Sequence, residues 1–405
     1  MRTGIRTAAA ALVVAFLATL AGPLPVHAQS GPIRIAVITD MSGIYEALAG
    51  RGAVEATKMA VEDFGGKVLG RPIEVVTIDH RNDGPFAATK AREAFDNGAE
   101  LALDETNSAV ALAVDAVAKE KHKLEIVTGG ASSALTGASC SKYTYHYAYD
   151  TYALAFSTGR SIASAPDAKK WWGLAQNYAF GQQMVADFTT ALKTKGAEFI
   201  HTDMLPLGAS DYSPYLLAAK NAHAQVLGVL NAGSDTVNTM KAVKQFGIDK
   251  DMKVAVGLLF LSDVDALPDV FAGSRITTSW YWNMDKAARA WADRYAKRMH
   301  GLRPTDIQAA DYSAATQWLN AVKAVGDVSA DKVVPYLDGR QFSDFYMRGG
   351  EWRARDHRVT HDMYVVDVLP KDKIKEPHAW FKIVQVIPPG VAFRPEAQSV
   401  CKKDW

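Results

Sequence analysis

Ser108 and Ser132 each stand where a short apolar run stops and a helical pattern begins. The first run reads Leu101-Ala-Leu-Asp-Glu-Thr-Asn107-Ser108, the second Leu124-Glu-Ile-Val127-Thr-Gly129-Gly130-Ala131-Ser132. A strand that ends in small polar residues before a helix presents backbone N–H groups and a hydroxyl at its C-terminal edge. Two such edges side by side make an anion clamp. Gly129 and Gly130 let the backbone approach a ligand closely, and both hydroxyls can donate a hydrogen bond. The same two serines also read as helix N-caps, and the readings are compatible, because a cap hydroxyl that faces a cleft can serve a ligand as well. Asn231-Ala232-Gly233-Ser234 repeats the device after the apolar run Gln225–Leu230.

Other chemistries find less support. His357 and His361 stand four apart beside Asp356 and Asp362, a spacing that on a helix would suit a metal. The intervening Arg358-Val359-Thr360 and the following Tyr-Val-Val read instead as turn and strand, which spaces the two rings poorly, so no metal is expected. Neither a G-x-S-x-G elbow nor a phosphate or dinucleotide fingerprint occurs. The serine-bearing loop at Ser132 and Ser133 has no histidine near it in sequence. The chain therefore reads as a binding protein without a catalytic set and without a cofactor.

The elements that must position the clamp follow from periodicity. Ile33–Thr39, Ile73–Asp79 and the runs opening at Leu101 and Leu124 are apolar strands separated by helical stretches, among them Pro85 to Asn97. Strands alternating with helices of this length imply βαβ units and a parallel sheet. A second series follows Asp150: strands at Lys170–Ala175, Glu198–Met204, Gln225–Leu230 and Val254–Leu259, with helices at Gly181–Lys195 and Tyr212–Ala222 between the first three. Helices at Lys286–His300 and Asp311–Val325 should pack back on the first series, and strands near Met363–Val368 and Trp380–Val386 should complete the second. With 405 residues, 48% of them hydrophobic, the chain can bury two cores. Its net charge of +1 argues against nucleic acid or an acidic membrane surface as a partner.

The N-terminus carries Arg2 and Arg6, an apolar run from Ala8 to Leu20, and Val26-His27-Ala28 before Gln29, the layout of a secretory signal over residues 1–28 cleaved near Ala28. The apolar run is shorter than the ~20 residues of a membrane-spanning helix. Export to the periplasm makes a Cys140–Cys401 disulfide the expectation, with two unpaired thiols as the alternative.

Taken together, the export signal, the alternation and two lobes resemble periplasmic solute-binding proteins of ABC transporters, type I fold, in the leucine/isoleucine/valine-binding family. The residues that carry the resemblance are Asp40-Met-Ser-Gly43, the turn Gly65 to Ile73, the segment Asp79 to Ala88, the Gly129-to-Ser133 loop, Phe180-Gly181 and Asp311-Tyr-Ser-Ala314. The resemblance implies an α/β fold of two Rossmann-like lobes joined by a three-strand hinge. It places residues 31–149 and 283–355 in lobe 1, residues 150–282 and 356–391 in lobe 2, and a tail, 392–405, that returns to lobe 1 through the disulfide. It also implies a monomer that hands a small ligand to a membrane permease. A ligand carboxylate would be held by Ser108, Ser132 and the backbone at Gly130 and Ala131, with Tyr45, Phe180, Asn231, Gly233 and Phe260 around its body.

Two departures bear on the ligand. The family's second-lobe aromatic falls at or near Gly233, which reads as added space. The acid that pairs with an ammonium falls in Leu258-Leu-Phe-Leu261, with no carboxylate before Asp263. An unpaired buried ammonium costs several kcal/mol, so the expected ligand is an aromatic or branched apolar carboxylate. A branched-chain amino acid or amide, or a sensor of the same fold, is the alternative. Trp280 and Trp282 are further aromatics available to pack on a ring.

Overall fold

The computed structural model describes Met1, residues 31–403 and Trp405; apart from Met1, the expected signal segment lies outside the described residues. The first sheet is built on β1 (Ile33–Thr39), a run buried on both faces apart from Arg34. Such a run suits the middle of a parallel sheet covered by helices on both sides. β2 (Lys67–Val68), β3 (Arg71–Asp79), β4 (Ala99–Asp104), β5 (Leu124–Val127) and β6 (Thr144–His146) complete it in the order β2-β3-β1-β4-β5-β6. All pairs are parallel except the β2–β3 hairpin. The register sets Thr39 beside Asp79, Ile38 beside Asp104 and Asp104 beside Val127, so the loops that leave β1, β4 and β5 emerge level at one edge.

The second sheet repeats the arrangement with β7 (Lys170–Gln176), β8 (Glu198–Leu205), β9 (Val226–Leu230) and β10 (Lys253–Val256), ordered β10-β9-β7-β8 and parallel throughout. β11 (Arg275–Thr278), β12 (Gln341–Phe342), β13 (Gly350–Trp352), β14 (Val359–Thr360), β15 (Met363–Val368) and β16 (Phe381–Ile387) form two small antiparallel sheets, β11-β15-β16 and β12-β13-β14. The chain is thus two Rossmann-like α/β lobes within one body spanning residues 32–405.

Strand and helix expectations agree with the structure to within a few residues, with one longer difference. The helix expected from Asp311 runs from Asp306 to Val325, because Thr305 and Gln308 form a reciprocal capping box that starts it earlier. It lies against the helix Gly50–Asp63 at Gly52, where a Cβ would stand 2.2 Å from both Gln308 Nε2 and Tyr295 Oη, so a larger residue there would displace both side chains. Tyr312 of this helix binds Asp63, and Arg294 and Arg298 of the neighbouring helix Lys286–Arg298 bind Asp63, Glu55 and Glu62.

Where the chain passes between the sheets, one buried cation gathers the connections. Arg358 donates to the carbonyls of His146 and Ala148, its Nε lies 3.2 Å from Asp150, and its guanidinium sits 4.2 Å over the Phe393 ring. Burial lowers its pKa to about 10 despite the Asp150 carboxylate. His361 and His357 take separate structural partners: His361 Nε2 meets the Ala148 carbonyl at 2.8 Å, and His357 stacks 4.2 Å from Tyr145.

Cys140 and Cys401 are joined, with Cα atoms 5.6 Å apart and a sequence separation of 261. Arg355 and Lys403 add hydrogen bonds, to the Cys401 and Ala354 carbonyls, that hold the C-terminal tail down. In the chain-entropy view, a cross-link closing so long a loop restricts the unfolded chain strongly, with an upper value of ~5 kcal/mol and usual gains of ~2–4 kcal/mol. The Cys140→Ser/Cys401→Ser double variant should therefore unfold at a lower denaturant concentration than the native protein, with the same α/β circular dichroism before the transition. An unchanged midpoint would show that the tail is held by its hydrogen bonds alone.

Candidate functional site

The level loops of the first sheet face the corresponding loops of the second, and between them lies a narrow, half-open cavity of about 20 Å³. Tyr45, Leu48, Thr106, Asn107, Ser108, Gly129 and Ala131 line it from the first sheet, Tyr178, Phe180, Ala232, Leu258 and Phe260 from the second, and Tyr149 from the connection. No side chain in this wall bears a formal charge. A wider open groove lies at the far edge of the second sheet, where Lys253 pairs with Asp167 and Lys220 with Asp251.

One end of the cavity is rich in donors. Asn107 caps the helix Ser108–Lys121, its Oδ1 accepting from Ala109 N–H at 2.9 Å and Val110 N–H at 3.2 Å. That leaves Ser108 as the first helical residue, and its hydroxyl oxygen accepts from Ser132 N–H at 3.1 Å, which keeps its own proton available. Among the described residues, the backbone N–H groups of Ser108, Gly130 and Ala131 have no acceptor. Buried N–H groups without acceptors are rare and costly; together with the positive end of the helix they suit an anion. The loops can meet because two residues lack a Cβ: one at Gly129 would stand 2.8 Å from Asp104 Oδ1, and one at Gly130 2.9 Å from the Glu105 carbonyl.

Of the residues expected from sequence, Tyr45, Ser108, Ala131, Phe180 and Phe260 are brought together in the wall. Gly130, Ser132, Asn231 and Gly233 lie just outside it. The Ser132 hydroxyl accepts from Ala134 N–H at 3.4 Å and so caps the short turn Ser133–Thr136. Asn231 braces its own loop, donating to Thr239 Oγ1 at 2.9 Å and accepting from Thr236 at 3.2 Å. Gly233 corrects the sequence reading. It opens no space, because the Tyr45 ring occupies the room: a Cβ there would lie 2.8 Å from Tyr45 Cδ1 and 2.6 Å from the Ile44 carbonyl, on a backbone with φ of +61°. The pocket is narrower than expected for that reason.

Trp280 and Trp282 do not reach the cavity. Their indole N–H groups donate to the carbonyls of Phe345 and His378, and both rings are buried in the core. Tyr149 and Tyr178 are wall residues that the sequence reading missed. Tyr178 was findable as the aromatic at the end of the apolar run Lys170–Gln176, but Tyr149 lies in a connection whose course periodicity does not give.

A family model described as periplasmic binding protein matches residues 32–373. A solved periplasmic binding protein from Burkholderia mallei is 45% identical, with a TM-score of 0.89 over 92% of this chain and 98% of that one. A branched chain amino acid ABC transporter periplasmic ligand-binding protein from Burkholderia xenovorans LB400 is 34% identical, with a TM-score of 0.80 over 91% and 99%. An R. palustris ABC transporter solute-binding protein in complex with benzoate shares the fold at 18% identity, TM-score 0.79, over 92% and 100%.

Several carboxyls lie buried behind the loops. Burial raises Asp104 to about 7, against hydrogen bonds from Thr39 and Thr106 that lower it, and raises Glu105, Glu125 and Asp311 as well. Asp263 accepts from Phe260 N–H at 3.0 Å, and burial raises it from 3.8 to about 7. Across that interval the folded chain keeps a proton that the unfolded chain would release. The Asp263 contribution is therefore fully present at low pH and is lost as pH rises through about 7. Buried His80 and His361, both lowered to about 4, oppose this trend in the whole protein, so a difference measurement isolates it. Asp263→Asn keeps the acceptor and removes the titration. Its melting temperature relative to the native protein should rise between about pH 5 and about pH 8, and a pH-independent difference would place the Asp263 carboxyl in its ordinary range.

Proposed function

Since the chain belongs to the periplasmic binding protein family, as the extracytoplasmic solute-binding component of an ABC transporter, we propose that it captures an aromatic or branched apolar carboxylate between its lobes. The observation that carries the reading is the cavity wall itself. It offers the Ser108 hydroxyl and the N–H groups of Ser108 and Ala131, aromatic and aliphatic side chains elsewhere, and no carboxylate. A ligand carboxylate needs those donors and gains from them without an Arg or Lys. Once the lobes bury it, an ammonium in the same place would have no opposite charge, a cost of several kcal/mol. Asp263, the acid nearest the Leu258–Leu261 loop, is engaged by the Phe260 backbone and is not part of the wall.

The two lobes comprise residues 31–149 with 283–355 and residues 150–282 with 356–391, and the tail 392–405 returns to the first. Ligand binding closes them about the connections between the lobes, and the closed form is presented to a membrane permease. The mature protein acts as a monomer in the periplasm and needs no cofactor.

A second reading, a branched-chain amino acid as ligand, has the name of the 34% identical relative in its favour. Titration calorimetry separates the two. Benzoate should bind more tightly than leucine, and Ser108→Ala should weaken benzoate by roughly 10- to 100-fold, the size of one hydrogen bond to a charged group. Tight leucine binding with no response to benzoate would replace this ligand class with the second.

A further inference from the structure

One part of the cavity wall has a fixed hydrogen-bond polarity. Tyr45 and Tyr178, one from each lobe, both line the wall, and their hydroxyl oxygens are 2.7 Å apart. Behind them the chain of contacts continues: Tyr45 Oη lies 3.0 Å from Gln176 Oε1, and Gln176 Nε2 lies 2.7 Å from Asp235 Oδ2, which also accepts from Gly208 N–H at 3.0 Å.

These contacts dictate where each proton points. A carboxylate only accepts, so the Gln176 amide turns its NH₂ to Asp235 and its carbonyl oxygen to Tyr45. That oxygen also only accepts, so Tyr45 spends its single proton on Gln176. The short contact between the hydroxyls then requires Tyr178 to donate to Tyr45. Neither phenol has a proton left for the cavity, and what remains are oxygen lone pairs. Burial, the largest influence on both groups, raises the pKa of each phenol above its ordinary value, so both stay protonated and the polarity persists.

We infer that the Tyr45–Tyr178 pair, oriented by Gln176 and Asp235, selects a carboxylate that carries a hydrogen-bond donor at its far end, such as a hydroxylated or amino-substituted aromatic acid. This rests on the carboxylate reading above and adds a specificity determinant to it. One pole of the cavity donates, to the carboxylate; the other accepts, from an O–H or N–H across the ring. A ring bearing hydrogen or fluorine at that position leaves the acceptor pole unmatched.

Calorimetric titration of the full-length mature protein with benzoate, 4-fluorobenzoate, 4-hydroxybenzoate and 4-aminobenzoate tests this. The hydroxy and amino acids should bind at least about tenfold more tightly than the other two, the size of one neutral hydrogen bond. Tyr178→Phe should narrow that preference, and a circular dichroism spectrum and unfolding midpoint like those of the native protein show that the variant is folded. Tyr45→Phe frees the Tyr178 proton to turn inward and should likewise narrow the preference. If all four acids bind equally, the carboxylate reading stands and the selectivity inference is overturned. If none binds, both are overturned. If leucine binds tightly and loses affinity in Tyr178→Phe, the acceptor pole belongs to an ammonium and the inference is wrong.

Discussion

Polar groups at the C-terminal ends of parallel strands lose water when two sheets close face to face, and each must then find a partner. Much of the site can be traced to that requirement. Asn107 turns inward to cap the helix after β4, Thr106 donates to Asp104, and Ser108 accepts from Ser132 N–H. After these pairings the N–H groups of Ser108, Gly130 and Ala131 remain without acceptors among the described residues. They have not been spent on structure, so they are available to an anion. The same accounting on the other side ends in oxygen lone pairs, because Asp235 begins the relay as an acceptor. A cavity wall that contains no charged side chain thereby carries both donors and acceptors.

Tyr45 links this chemistry to the joint between the lobes. Its ring packs on Gly233, where no side chain could follow, and its hydroxyl reaches Gln176 and Tyr178 on the other lobe. The residue that narrows the cavity therefore also bonds across it. Arg358 performs a related task away from the ligand. A buried guanidinium is tolerated only where its donors are met, and the carbonyls and carboxylate that meet it belong to the connections themselves. Removing it would leave those carbonyls unpaired where the chain crosses between sheets.

Several particulars were legible before the structure because the signals are local. The apolar run Ile33–Thr39 could only be a central strand, and the stops after Leu103 and Val127 fixed where loops must emerge. Ser108 at a helix start and Phe180 after a strand followed from the same reading, as did a bond between Cys140 and Cys401 once export was recognised. The start of the helix Asp306–Val325 was misplaced because its capping box precedes the apolar pattern used to find it.

Composition and spacing determined by themselves that this chain makes two parallel-stranded α/β lobes with small polar residues at the strand ends, because alternation of strand and helix is a periodic property that each segment carries alone. Only the tertiary structure decided which of those residues face the cavity. Ser108 and Ser132 look equivalent in sequence, yet one hydroxyl is open to the wall and the other caps a turn, since Asn107 had already taken the capping role at the first helix. Gly233 reads as space and is in fact covered by Tyr45, a residue far away in the chain. The hydrogen-bond chain from Tyr178 through Tyr45 and Gln176 to Asp235 joins both lobes, so its direction is set by contacts that no local pattern contains.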